Sequence, residues 1–176
     1  GAKYNPLIQD EQYWRLLTPI FLHIGFPHLL FNSMALYFIG PAVERIYGGF
    51  RFIFIFLLAG VMGSLASFAF TPNLSAGASG AIFGCFGALL FFGQKHRALF
   101  FQTMGKDILF FLGLNLMLGF IFPGIDNFGH IGGLLGGYLA ATTVGIPKEK
   151  YAIIVRMVFI LALIIIMAAM FTVGMV

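Results

Sequence analysis

Residues 75–92 read SAGASGAIFGCFGALLFF. From Ser79 onward the stretch is almost wholly apolar, and Gly80, Gly84 and Gly87 recur four and three residues apart, along one face of a helix. Small residues at that spacing let helix backbones approach closely in a bilayer, where lipid is as apolar as the side chains and packing must drive association. The stretch therefore predicts a membrane helix at a helix–helix contact. It also puts a hydroxyl, Ser79, between Gly77 and Gly80. Ser79 reads either as one more small packing residue or as a nucleophile set into a packing motif.

The rest of the chain extends the first half of that reading. Sixty per cent of the 176 residues are hydrophobic, 9% are charged, and the mean hydropathy is +0.99, whereas soluble domains carry about 25% charged residues. Apolar blocks recur to the C-terminus without the two-residue alternation of a membrane barrel, so the expected fold is all-α, a polytopic membrane helical bundle. Residues 1–26 are mixed and rich in turn formers, and read as an interfacial loop with short helical pieces. Six apolar segments follow, at Pro27–Tyr47, Arg51–Phe70, Ser79–Phe92, Asp107–Phe122, Phe128–Val144 and Tyr151–Val176. No internal repeat divides them. The chain opens on Gly-Ala-Lys without an initiator Met or a signal segment, which reads as a fragment or a processed form.

Charge decides orientation and excludes some partners. The net charge is +4, but the ten Lys and Arg are scattered between apolar blocks and form no basic stripe, so nucleic acid is not an expected partner. With the N-terminal region outside, the inner loops hold Arg45, Arg51, Lys95, Arg97, Lys106, Lys148, Lys150 and Arg156, and only Lys3 and Arg15 lie outside. The first, third and fifth segments then all begin at the outer face. Cys85 is the single cysteine, which excludes an intramolecular disulfide and a multi-cysteine metal cluster. No metal or other cofactor is expected, since the four His include no His-x-x-x-His pair and no carboxylate partner.

That parity gathers the polar residues. His23, His28 and Asn32 fall at the outer start of the first segment, Ser79 at that of the third and His130 at that of the fifth. From Ser79 to Lys95 is about 16 residues, roughly 24 Å of helix, which sets Ser79 a few ångströms below the outer surface of a hydrocarbon core about 30 Å thick. A serine hydroxyl needs a base for its proton and donors for the oxyanion. His130 can be the base if its helix packs on that of Ser79, and His130, Gly133 and Gly137 recur on one face as such packing requires. His28 and Asn32, four apart, share a face and can donate to an oxyanion alongside the Ser79 N–H. His23 can shape the site from the loop, and Phe83, one turn after Ser79, can pack on the His130 ring.

Plainer readings exist for each residue. Gly-Ala-Ser-Gly in a membrane helix is commonly packing, Asn32 can be interhelical glue, and His28 an interfacial residue. Strongly polar groups within a bilayer are costly, however, and their conjunction at one depth favours chemistry. His96, between Lys95 and Arg97, reads as a solvated loop residue, and Glu44-Arg45 as a local pair or a helix cap. Asp126 invites a triad with His130, but a turn Asp before a helix is first an N-cap, so a dyad is expected. Cys85 lies roughly 240° round the helix from Ser79 and faces away.

Four stretches together resemble the rhomboid family of intramembrane serine proteases: Trp14-Arg15, the spacing His23-x4-His28-x3-Asn32, Gly77-x-Ser79-Gly80, and His130-x-x-Gly133-x-x-x-Gly137. The resemblance covers residues 1 to about 147 and implies a protease core there, with residues 1–26 as its membrane-associated first loop and residues 148–176 as an additional C-terminal transmembrane helix. It implies that Ser79 is the nucleophile and His130 the general base. His28, Asn32 and the Ser79 N–H form the oxyanion and substrate-binding site, with Gly77 beside them. Trp14 and Arg15 belong to the first loop, Glu44 helps to hold helix ends, and Gly133 and Gly137 support close packing.

Many relatives have Tyr where this chain has Phe83, and the family's first helix, which precedes the long loop, is expected directly upstream of Gly1. The implied function is an endopeptidase that cleaves transmembrane segments of membrane proteins near the outer face, at small residues with helix breakers nearby. The implied location is the plasma membrane of a bacterium, with the site open to the extracytoplasmic side. The rival reading is a non-catalytic relative that binds transmembrane clients; such relatives usually lose the Ser or the His, and this chain has both. A channel or transporter would need charged residues mid-span, and none is there. Oligomeric state is not readable.

Overall fold

The computed structural model describes residues 1–122, 124–150 and 152–176, so the expected start of the last segment at Tyr151 lies outside the described residues. Among the described residues all regular structure is helical: α1 (Asn5–Gln9), 3-10 turns at Tyr13–Leu16 and Thr18–Phe21, α2 (Phe26–Tyr47), α3 (Gly49–Phe70), α4 (Ser79–Lys95), α5 (Arg97–Thr103), α6 (Gly105–Ile121), α7 (Asn127–Val144) and α8 (Ile153–Met175). The bundle matches the expected class, and the first loop has its expected short helical pieces.

α4 is the axis. Its residues from Ala81 to Leu89 are all buried, with α3 and α7 packed along it and α2 and α6 on its remaining sides. Glycine makes this possible. A Cβ on Gly63 of α3 would lie 2.6 Å from the Gly129 carbonyl oxygen, one on Gly133 of α7 would lie 2.9 Å from the Gly80 Cα, and one on Gly87 of α4 would lie 2.7 Å from the Tyr138 nitrogen. Those approaches are closer than any side chain tolerates, so α3, α4 and α7 meet backbone to backbone. At the opposite end Tyr47 fastens α2, its buried hydroxyl donating to the Ala88 carbonyl at 2.8 Å.

Three helices, Phe26–Tyr47, Gly49–Phe70 and Ile153–Met175, are long and apolar enough to cross a bilayer, and α5 with α6 makes a fourth if the pair is one span bent by 75°. The chain is a multi-pass integral membrane protein. The expected count of six spans is thus met by fewer helices that qualify on their own. α4 and α7 have 17 and 18 residues and many glycines; α4 is ringed by other helices and α7 packs its glycine face on α3 and α4, with Phe128, Ile131 and Leu135 left exposed on its other face.

Two further expectations are corrected. The region between Phe92 and Asp107 is not a loop: α4 runs on to Lys95, and α5 follows at once before the bend into α6. His96, at that junction, is not simply solvated, since its Nε2 contacts the Glu149 carboxylate beyond the end of α7. Both corrections concern the end of the bundle remote from Ser79.

Candidate active site

Three helix N-termini converge at one end of the bundle. Ser79 is the first residue of α4, His28 lies in the first turn of α2, and His130 lies in the first turn of α7. The turn before α7 is closed by Asp126, whose Oδ1 accepts the Gly129 N–H at 2.9 Å. Asp126 therefore caps the helix that carries His130, as a short acidic side chain at that position does. Its other carboxylate oxygen is buried without a hydrogen-bond partner.

Ser79 and His130 line one small cavity with Gly60, Gly63, Ser64, Ser75, Gly77, Gly80, Asp126 and Gly129. The free space at its centre is about 20 Å³, room for one water. Among the described residues no hydrogen bond joins Ser79 to His130. The His130 ring is fixed instead by Phe83, stacked parallel to it with centroids 4.1 Å apart and planes at 9°. Its Nδ1 is buried without a partner.

Histidine 28 approaches from the other side. Its Nδ1 accepts the Ile24 N–H at 3.2 Å, which leaves the proton of the neutral ring on Nε2. That nitrogen faces Gly77, where a Cβ would lie 2.8 Å from it and 3.8 Å from the Ser79 hydroxyl oxygen. Gly77 also has a φ of +134°, a conformation that disfavours any side chain, so two independent constraints call for glycine there. Asn32 is buried one turn below His28 and donates to the His28 carbonyl at 2.9 Å, which leaves its second amide hydrogen uncommitted. His23 meets the His28 ring edge to face at 5.2 Å and helps set its orientation.

The remaining sequence candidates lie elsewhere. Arg15 belongs to the wall of the first loop, donating to the Gln12 side chain at 2.8 Å and to the Ala2 carbonyl at 2.9 Å, while Trp14 is 57% exposed. Glu44 lies exposed near the far end of α2, about 18 Å of helix from Asn32. Its main-chain carbonyl accepts the Gly48 N–H at 2.7 Å, and among the described residues its carboxylate forms no ion pair with Arg45. Gly133 and Gly137 lie against Gly80 and Gly84 of α4.

A second cavity of about 280 Å³ opens beside the first, between the α3–α4 loop (Thr71, Asn73, Leu74) and residues 124–128. Asp126 lines both. Sequence reasoning counted Lys3 only among the charges that set orientation and gave it no part in the site. The lysine is fully buried and donates to the Thr71 and Asn73 carbonyls at 2.7 and 2.8 Å.

Comparison with known proteins agrees with this architecture. The Rhomboid domain family model matches residues 10–147. The chain is similar to rhomboid protease GluP of Bacillus subtilis, 56% identical over 148 residues, which are 84% of this chain and 29% of that protein. It is similar to YdcA of the same organism, 38% identical over 149 residues, 84% of this chain and 75% of that protein. Rhomboid-like protease 1 of Toxoplasma gondii is 38% identical over 148 residues, covering 78% of this chain and 49% of that protein. The family match spans the first loop from Asp10 onward, the three helices that meet backbone to backbone and every residue that lines the Ser79 cavity, and the chain belongs to the rhomboid family.

Proposed function

We propose that the chain carries the active site of an intramembrane serine endopeptidase whose nucleophile is Ser79 and whose general base is His130. The observation that carries this reading is the shared cavity: a hydroxyl at the start of α4 and an imidazole in the first turn of α7, the latter held by Phe83, face one water-sized space. The uncommitted state of Ser79 is in keeping with resting sites, whose hydrogen bonds often tighten only with substrate.

In the reaction the Ser79 hydroxyl attacks the scissile carbonyl of a locally unwound substrate segment while His130 takes its proton. The oxyanion is met by the Nε2–H of His28, by the free amide hydrogen of Asn32 and by the Ser79 N–H. That N–H lies at a helix start, before the first intrahelical bond, from the Ile82 N–H to the Ala78 carbonyl. Collapse of the tetrahedral species passes the proton from His130 to the leaving amine. A water then attacks the acyl ester, with His130 again as base. The 280 Å³ cavity beside Asp126 offers that water a route from the outer side. Asp126 caps α7 and does not enter the chemistry, which makes this a dyad. The substrates are transmembrane segments cut near the outer face, and the bilayer is the plasma membrane of a bacterium.

The test is cleavage of a fluorogenic transmembrane peptide by the full-length protein in detergent. Ser79→Ala and His130→Ala should each abolish it with the unfolding temperature retained. Parental cleavage by either variant would sink the dyad, and no cleavage by a folded parent on several peptides would favour client binding instead.

A further inference from the structure

The segment between α3 and α4 has no regular structure, yet it must deliver Ser79 with its N–H aimed at one point and Gly77 in a conformation that suits only glycine. What holds it comes largely from the first few residues of the chain. Lys3 and Ser75 pair through both main-chain bonds, Lys3 N–H to Ser75 carbonyl at 2.8 Å and Ser75 N–H to Lys3 carbonyl at 3.0 Å. The Asn5 amide donates to the Phe68 and Thr71 carbonyls at 3.0 and 3.3 Å. The Lys3 ammonium then reaches the Thr71 and Asn73 carbonyls, inside the loop itself. Arg15 in turn holds the Ala2 carbonyl, and the Pro19 carbonyl accepts the Gly77 N–H at 2.9 Å.

We propose that Lys3 is a positioning residue for the reaction: its buried ammonium gathers the α3–α4 loop beside the capped start of α7 and so holds Ser79 in register with His130. A fully buried ammonium is strongly disfavoured unless its donors are satisfied and a counter-charge lies near. Both conditions are met, the donors by two loop carbonyls and the counter-charge by the Asp126 carboxylate, which favours the charged form of Lys3. Asp126 lines the Ser79 cavity and caps the His130 helix, so one residue links the nucleophile loop to the base helix through space. Two other uses of the lysine fail on geometry. It is 0% exposed and cannot meet a lipid headgroup, and it does not line the Ser79 cavity and cannot itself act as a base.

The inference rests on Ser79 being the nucleophile, and the experiment separates the two. The full-length protein and its Lys3→Met, Lys3→Gln, Lys3→Arg, Gln9→Ala and Ser79→Ala variants are compared in three measurements. These are the rate of labelling by a small fluorophosphonate, kcat and KM on a fluorogenic transmembrane peptide, and the unfolding temperature. Lys3→Met should slow labelling and lower kcat by about 10- to 100-fold, the scale of a small displacement of a reacting group, with KM little changed. Lys3→Gln, which keeps donors but no charge, should fall between Met and the parent, and Lys3→Arg should recover part of the loss. Gln9→Ala breaks a bond from the same N-terminal region to the Gly174 carbonyl rather than to the loop, and should label at the parental rate. Parental labelling of folded Lys3→Met or Lys3→Gln would overturn the proposal, as would an equal loss in Gln9→Ala. Labelling or cleavage that survives Ser79→Ala would overturn the catalytic reading instead.

Discussion

Gly77 shows how much of the site depends on single atoms. A methyl group there would lie 2.7 Å from His28 Cε1 on a backbone with φ of +134°. Gly77→Ala must therefore move either the loop or the imidazole. Steady-state kinetics should show kcat lower by about 100-fold, while the unfolding temperature changes by only a few degrees. Lys3 gives a prediction in pH. Burial pushes its ammonium down to about 8 from an ordinary 10.5, with Asp126 partly opposing the shift. Between those values the unfolded chain holds a proton that the folded chain has released, so stability rises with pH across that window. The groups facing the ammonium are the Thr71 and Asn73 carbonyls and Asp126. The unfolding temperature of the parent should accordingly gain on that of Lys3→Met from pH 8 to 10; a difference that stays flat or shrinks would contradict an ammonium pushed down by burial.

At the scale of helices, the contact of α4 with α7 decides whether Ser79 and His130 share a cavity at all. Gly133→Val would press a branched side chain onto the Gly80 backbone. Thermal melts should show a large loss of stability, and fluorophosphonate labelling should vanish with it. By contrast, Tyr47→Phe removes one buried hydroxyl from the Ala88 carbonyl at the far end. It should cost about 1 kcal/mol of stability and leave kcat unchanged.

Much of this element scale was legible, because glycine spacing and polar residues at segment starts survive in one dimension. The start of α4 at Ser79 and the ends of α2 and α3 at Tyr47 and Phe70 coincide with the expected boundaries. α5 was not legible: Arg97, Gln102 and Thr103 give its seven residues the look of a loop. Lys3 was hidden for a different reason. Nothing near it in sequence signals burial, which comes from a pairing with Ser75 that only the fold creates. His96 likewise gains Glu149 as a partner across 53 residues.

Over the whole molecule, the bundle is a closely packed three-helix centre, α3, α4 and α7, with the other helices fastened to it. α8 runs along α3 and α7 and buries Leu163, Met170 and Gly174, while most of its surface is left to lipid. Its C-terminal end also reaches the first loop. Gln9 donates to the Gly174 carbonyl at 3.0 Å, and Tyr13 meets Phe171 edge to face at 5.6 Å. Gly174→Leu would drive a side chain into the Phe68 ring. It should lower the unfolding temperature and speed hydrogen exchange of residues 5–21 well before it affects labelling of Ser79. The same layout places every proposed catalytic group at one end of the bundle and most of the basic residues at the other, in keeping with the proposed opening of the site to the outer side.

Ser64 and Ser75 line the same cavity as Ser79, the proposed nucleophile, and His130, its proposed base. The most direct test is to locate, by mass spectrometry, the residue that a fluorophosphonate modifies in the full-length protein. A single adduct on Ser79 is expected, formed far more slowly in His130→Ala. An adduct on Ser64 or Ser75, or labelling of Ser79 at an undiminished rate without His130, would contradict it.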